Sequence, residues 1–129
     1  MPATPLNRIF YAEDDLDIQR IVRMSLERIG KMTVTIESDP LKAIEGIKAF
    51  KPDLVMLDWM MPGMDGPTLL KTMRQRPETA SYPVVFITAK ATVKDHAELA
   101  ALGAAGIVSK PFSPMDLPKQ LRAIWDTLP

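Results

Sequence analysis

Short apolar runs alternate along the chain with longer segments in which apolar residues recur at helical spacing. Residues 8–12 read as a strand, and residues 17–29 place Ile18, Val22, Leu26 and Ile29 on one face of a helix that Gly30 would stop. Residues 32–37, rich in Val, Thr and Ile, predict a second strand. The following SDPLKAIEGIKAF begins with Asp39 as a cap and Pro40 at the first helical position, and turns Ile44 and Ile47 inward. Residues 54–58, 83–88 and 106–109 predict three more strands, with helices over 66–75 and 92–102 between them. The last helix has an unusual start. Ser113, Pro114 and Asp116 resemble a capped beginning, yet Pro118 removes an early helical hydrogen bond, so regular helix is expected only from about residue 118.

Strands that alternate strictly with helices call for a parallel sheet covered on both faces, because every parallel crossover needs a helix. The expected architecture is a doubly wound α/β domain of five strand–helix units, one domain over residues 1–129. In such sheets function gathers at the carboxyl ends of the strands.

What stands at those ends is chemically pointed. The first strand runs into Glu13, Asp14 and Asp15, the third ends on Asp58, the fourth on Thr88, and the fifth leads into Lys110 and Pro111. If these strands are neighbours, Glu13, Asp14 and Asp58 converge, and their repulsion demands a cation. Oxygen ligands with room for water suit Mg²⁺, or Mn²⁺ in its place. Lys110 adds a fixed positive charge and Thr88 a hydroxyl. A carboxylate in this company is suited to receive a phosphoryl group, which makes Asp58 the candidate acceptor. Each residue also has a plainer reading. Asp58 alone would be a turn residue, Asp14 or Asp15 a helix cap, Thr88 a strand residue and Lys110 a surface charge. His96 falls among polar helical positions and reads as a surface residue, and Met60, Met61 and Met64 read as core filling or a partner surface.

Composition narrows the partners. Lys and Arg total 16 and Asp and Glu total 16, so the net charge is zero and no basic run offers itself to a nucleic-acid backbone. The absence of cysteine excludes disulfides, thiolate metal sites and a cysteine nucleophile. The amino terminus has no export pattern and no apolar run is long enough for a membrane span, so a soluble, cytoplasmic protein is expected.

AEDD after the first strand, LDWMMPGMDG around Asp58, FITA with Thr88, and GAAGIVSKPF with Lys110 occur in this order at the ends of four strands. In this the chain resembles the receiver domains of two-component response regulators, of the stand-alone, chemotaxis-regulator-like type, over essentially its full length. The resemblance implies a flavodoxin-like strand order of 2-1-3-4-5. It implies that Asp58 is phosphorylated, and that the metal is held by Asp14, by Glu13 through water, by Asp58 and by the backbone carbonyl of Met60. Thr88 would bond the phosphoryl group and Lys110 would pair with it, while Asp15 falls at a variable position outside the site. A cis Lys110–Pro111 bond is also implied.

Partners follow from the same resemblance: a sensor histidine kinase or histidine phosphotransfer protein as donor, and a downstream target protein. The chain leaves no room for a nucleic-acid-binding output domain, so output should be protein contact or phosphoryl relay, through the fourth helix, fifth strand and fifth helix. Catalysis would be limited to the protein's own phosphorylation and slow dephosphorylation. One position in the fifth strand departs from the family pattern. Ile107 stands where a switching aromatic is usual, so the response would be carried by Thr88 with Ile107 repacking. Met60 and Lys90 would flank the approach of the hydrolytic water, neither is a general base, and slow loss of phosphate is expected. The competing readings are a degenerate receiver that only binds partners, a haloacid-dehalogenase-like phosphatase and a flavin-binding module. The phosphatase would want an acid where Met60 stands, and the flavin module a phosphate loop where EDDLD stands.

Overall fold

A computed structural model describes residues 2–89 and 92–129. Its elements are β1 (Arg8–Ala12), α1 (Leu16–Met24), β2 (Thr33–Glu37), α2 (Ala43–Phe50), β3 (Leu54–Asp58), α3 (Gly66–Gln75), β4 (Val84–Thr88), α4 (Val93–Ala101), β5 (Gly106–Ser109) and α5 (Leu117–Asp126). All strand pairs are parallel and the sheet order is β2-β1-β3-β4-β5, as expected. The order reverses between β1 and β3, and there Ala12 pairs with Leu57, which sets the ends of these two strands side by side.

Strand periodicity sorts the core into two layers. On one face Ile9, Tyr11, Leu54, Met56, Val85, Ile87 and Val108 pack with Val22 of α1 and Leu117, Leu121 and Trp125 of α5. On the other, Phe10, Ala12, Val55, Leu57, Val84 and Phe86 pack with Ile44 and Ile47 of α2, Leu69, Leu70 and Met73 of α3, and Leu99 of α4. Central strands buried on both faces explain why β3 and β4 read as unbroken apolar runs. Among the described residues no helix is long and apolar enough to cross a membrane.

Helix ends are set by local chemistry. Asp15 caps α1 by accepting from the N–H groups of Asp17 and Ile18, at 2.9 and 3.2 Å. Asp65 caps α3 through Thr68, and α4 opens on a reciprocal Thr92–Asp95 capping box. The first helix differs from the sequence expectation in its last turn. Residues Ser25–Ile29 form a π-helical turn, which ends at Gly30 as expected; the φ of Gly30 is −82°, and the positive φ of 58° falls on Lys31. Gly30 is small for another reason, since a Cβ there would lie 2.9 Å from both the Leu26 carbonyl oxygen and Pro118 Cβ of α5. Two hydrogen bonds reinforce this junction, from the Ser25 hydroxyl to the Pro114 carbonyl and from Arg122 to the Gly30 carbonyl. The helix expected from Pro40 opens instead with a separate 3-10 turn, Pro40–Lys42, and α5 becomes regular at Leu117 after an irregular approach.

Candidate functional site

The site is built on the carboxyl ends of β1, β3, β4 and the segment after β5. Oxygen atoms of Glu13, Asp14 and Asp58 lie within 4.8 Å of one another. Glu13 and Asp58 are buried, at 1% and 7% exposure, whereas Asp14 is open to solvent. Lys110 joins the two buried acids: its Nζ lies 3.2 Å from Glu13 Oε1 and 3.3 Å from Asp58 Oδ1. The Lys110 N–H also donates to the Thr88 carbonyl at 2.8 Å, which ties the lysine to the end of β4. Thr88 is buried, and the Lys110–Pro111 bond is cis, as expected.

Backbone ties make this arrangement rigid. The Glu13 N–H donates to the Glu37 carbonyl at 3.0 Å, and the Gln19 side chain donates to the Glu13 carbonyl. The loop after Asp58 closes with the Gly66 N–H donating to the Trp59 carbonyl at 2.9 Å. That closure brings α3 so near the end of β3 that a Cβ on Gly66 would lie 2.3 Å from the Asp58 carbonyl oxygen. Trp59 is buried and its ring tilts against Phe86, with centroids 6.4 Å apart.

Electrostatics follow from one ammonium shared by two of the three carboxylates. Burial raises the Glu13 carboxyl above its usual range, and Asp58 adds to the rise, while the Tyr11 hydrogen bond and Lys110 oppose it. Burial alone would lower the Lys110 ammonium, but the Glu13 and Asp58 carboxylates outweigh it and hold the group above its ordinary value. The cluster retains net negative charge after Lys110 is counted. A hard divalent cation with oxygen preference fits this donor set, with Asp14, Asp58 and Glu13 as the residues that would hold it.

Other residues weighed in the sequence stand apart from this core, Asp15 and His96 among them as expected. Asp15 is spent on the helix cap. Met60 is 64% exposed at the rim, His96 is exposed on α4, and Ile107 is half-buried, paired in register with Phe86. Met61 is buried and Met64 packs against the same core layer, which makes both of them filling. Lys90 lies outside the described residues. Tyr11 was not foreseen as a site residue. Its hydroxyl donates to Glu13 Oε1 at 2.7 Å, and burial, then the Glu13 carboxylate, push its phenol upward so that it remains a donor. The available signal was its spacing: positions 11 and 13 of a strand share a face.

Fold and site together define a flavodoxin-like α/β domain whose acidic strand-end pocket is fitted for a hard cation. The chain belongs to the response regulator receiver domain family, which it matches over residues 9–122. It is 34% identical over 117 residues to the phosphate regulon transcriptional regulatory protein PhoB of Escherichia coli strain K12, covering 91% of this chain and 51% of that protein. The chain thus spans about half the length of the curated relatives it matches. The BeF3-activated N-terminal receiver domain of Klebsiella pneumoniae RstA is 32% identical, with a TM-score of 0.81, covering 91% of this chain and 97% of that one. The chemotaxis response regulator CheY4 of Vibrio cholerae shares the fold, with a TM-score of 0.84 at 24% identity, covering 92% and 98%.

Proposed function

We propose that residues 1–129 act as one receiver unit of a two-component pathway, in which Asp58 accepts a phosphoryl group from the phosphohistidine of a sensor kinase or phosphotransfer protein. The observation that carries this reading is the contact of one ammonium, Lys110 Nζ, with Asp58 Oδ1 inside a three-carboxylate cluster. An Asp58 carboxylate oxygen attacks phosphorus as the P–N bond breaks, and the bond's electron pair leaves with the imidazole nitrogen. Lys110 neutralises the phosphoryl oxygens at the acceptor, and the buried Thr88 at the end of β4 supplies a hydroxyl to them. Asp14, Asp58 and the Met60 carbonyl, with Glu13 through water, would hold Mg²⁺, which would supply charge neutralisation when bound. With acetyl phosphate and Mg²⁺, intact-mass measurement should show one added phosphoryl group, and Asp58→Asn should show none. Equal labelling of the two proteins would refute the assignment.

The signal would leave through α4, β5 and α5, with Thr88 moving toward the phosphoryl group and Ile107 repacking into the space it vacates. The output is contact with a downstream target protein. Met60, exposed and apolar at the rim, offers no hydrogen bond to orient an attacking water, which supports a long-lived phosphorylated state. Met60→Asn should therefore lose phosphate faster in Mg²⁺. An unchanged decay would show that position 60 does not shield the bond.

A further inference from the structure

Glu13 is held from below by a group that belongs to the core. Tyr11 is fully buried, on the sheet face covered by α1 and α5, and only its hydroxyl reaches the site floor. Glu13 Oε1 accepts from two donors, the Tyr11 hydroxyl at 2.7 Å and Lys110 Nζ at 3.2 Å, and this uses the capacity of that oxygen. Glu13 Oε2 accepts a long bond from the Asp15 N–H at 3.3 Å, and the Glu13 carboxyl also meets the Asp58 side chain. The two oxygens of one carboxylate are therefore not equivalent.

We propose that Tyr11 is a positioning residue of the cation site: its hydroxyl pins Glu13 Oε1 in the contact with Lys110 and leaves Oε2 to serve the cation or its water, beside Asp14 and Asp58. The inference rests on the metal-binding reading given above and adds a residue to it. A phenylalanine at position 11 would keep the packing of the core and remove only the hydroxyl. Glu13 would then rest above an apolar ring with one donor fewer, free to turn Oε1 out of register with Lys110. Hydrogen bonds to metal-ligating carboxylates typically change metal affinity by about 10- to 100-fold when removed, and a carboxylate acting through water belongs at the lower end of that range.

The test is titration of Mg²⁺ by calorimetry into the parent, Tyr11→Phe and Ile9→Val. Ile9 is equally buried in the same layer, and its shortening loosens the core without touching Glu13. Tyr11→Phe should weaken Mg²⁺ binding by about tenfold, and Ile9→Val should leave it within about twofold of the parent. Unchanged affinity in Tyr11→Phe overturns the proposal. So does an equal loss in Ile9→Val, which would mark a general softening of the core. A parent that shows no Mg²⁺ binding would instead remove the cation site itself, and with it the role of Tyr11.

Discussion

Gly66→Ala should lower stability by about 3 kcal/mol, a fall in Tm of roughly 10 °C for a chain of this size. The added Cβ would stand 2.3 Å from the Asp58 carbonyl oxygen and 2.7 Å from the Phe86 ring. A ring edge can shift, but the carbonyl belongs to the last residue of a fully buried strand. Relief therefore means moving α3 away from β3 or moving Asp58 itself. Gly63 provides the comparison. It has a φ of +88° and open space around it, so alanine there should cost only about 1 kcal/mol of backbone strain. Thermal melts of the two variants decide the matter, and equal falls in Tm would mean that the loop absorbs the clash freely.

Lys110→Ala should destabilise the metal-free protein by about 2 kcal/mol, since removing one partner of a buried ion pair strands the other. The side chain is 21% exposed, so the loss sits below the range for a fully buried pair. The pH dependence has a definite sign. Lys110 is raised in the folded state, so its contribution is fully present below its unfolded value near 10.5 and is lost as pH rises through the folded value. The gap between parent and variant should close above about pH 10.5. Mg²⁺ should narrow the gap as well, because a cation on the same carboxylates replaces the missing charge. Melts in EDTA and in Mg²⁺ that show the same gap would contradict this account. Labelling of Asp58 by acetyl phosphate should fall by about 10²-fold in the variant, the usual loss when one preorganised donor is removed.

The strands were legible because both faces of β1, β3 and β4 are buried, which leaves little but apolar residues in them. The acids, Thr88 and Lys110 were legible because strand ends are fixed by those same runs. Tyr11 was not: within a buried strand a tyrosine reads as one more large apolar side chain, and its hydroxyl acquires meaning only when Glu13 is placed 2.7 Å away. Gly30 was legible as the stop of the first helix, but the demand on its size was not. A glycine after a helix suggests a left-handed cap, but this one is demanded by Pro118, 88 positions further on, which no local pattern reports. The π-helical turn before it, Ser25–Ile29, likewise has no local signature.

That junction bears on how this chain can be recombined with its relatives. The end of α1 and the start of α5 are joined through Gly30 against Pro118, Ser25 to the Pro114 carbonyl and Arg122 to the Gly30 carbonyl. Segments distant in sequence thus form one inherited block. A chimera that takes residues 25–30 from another receiver must also take its α5, or any side chain larger than hydrogen at position 30 will meet Pro118.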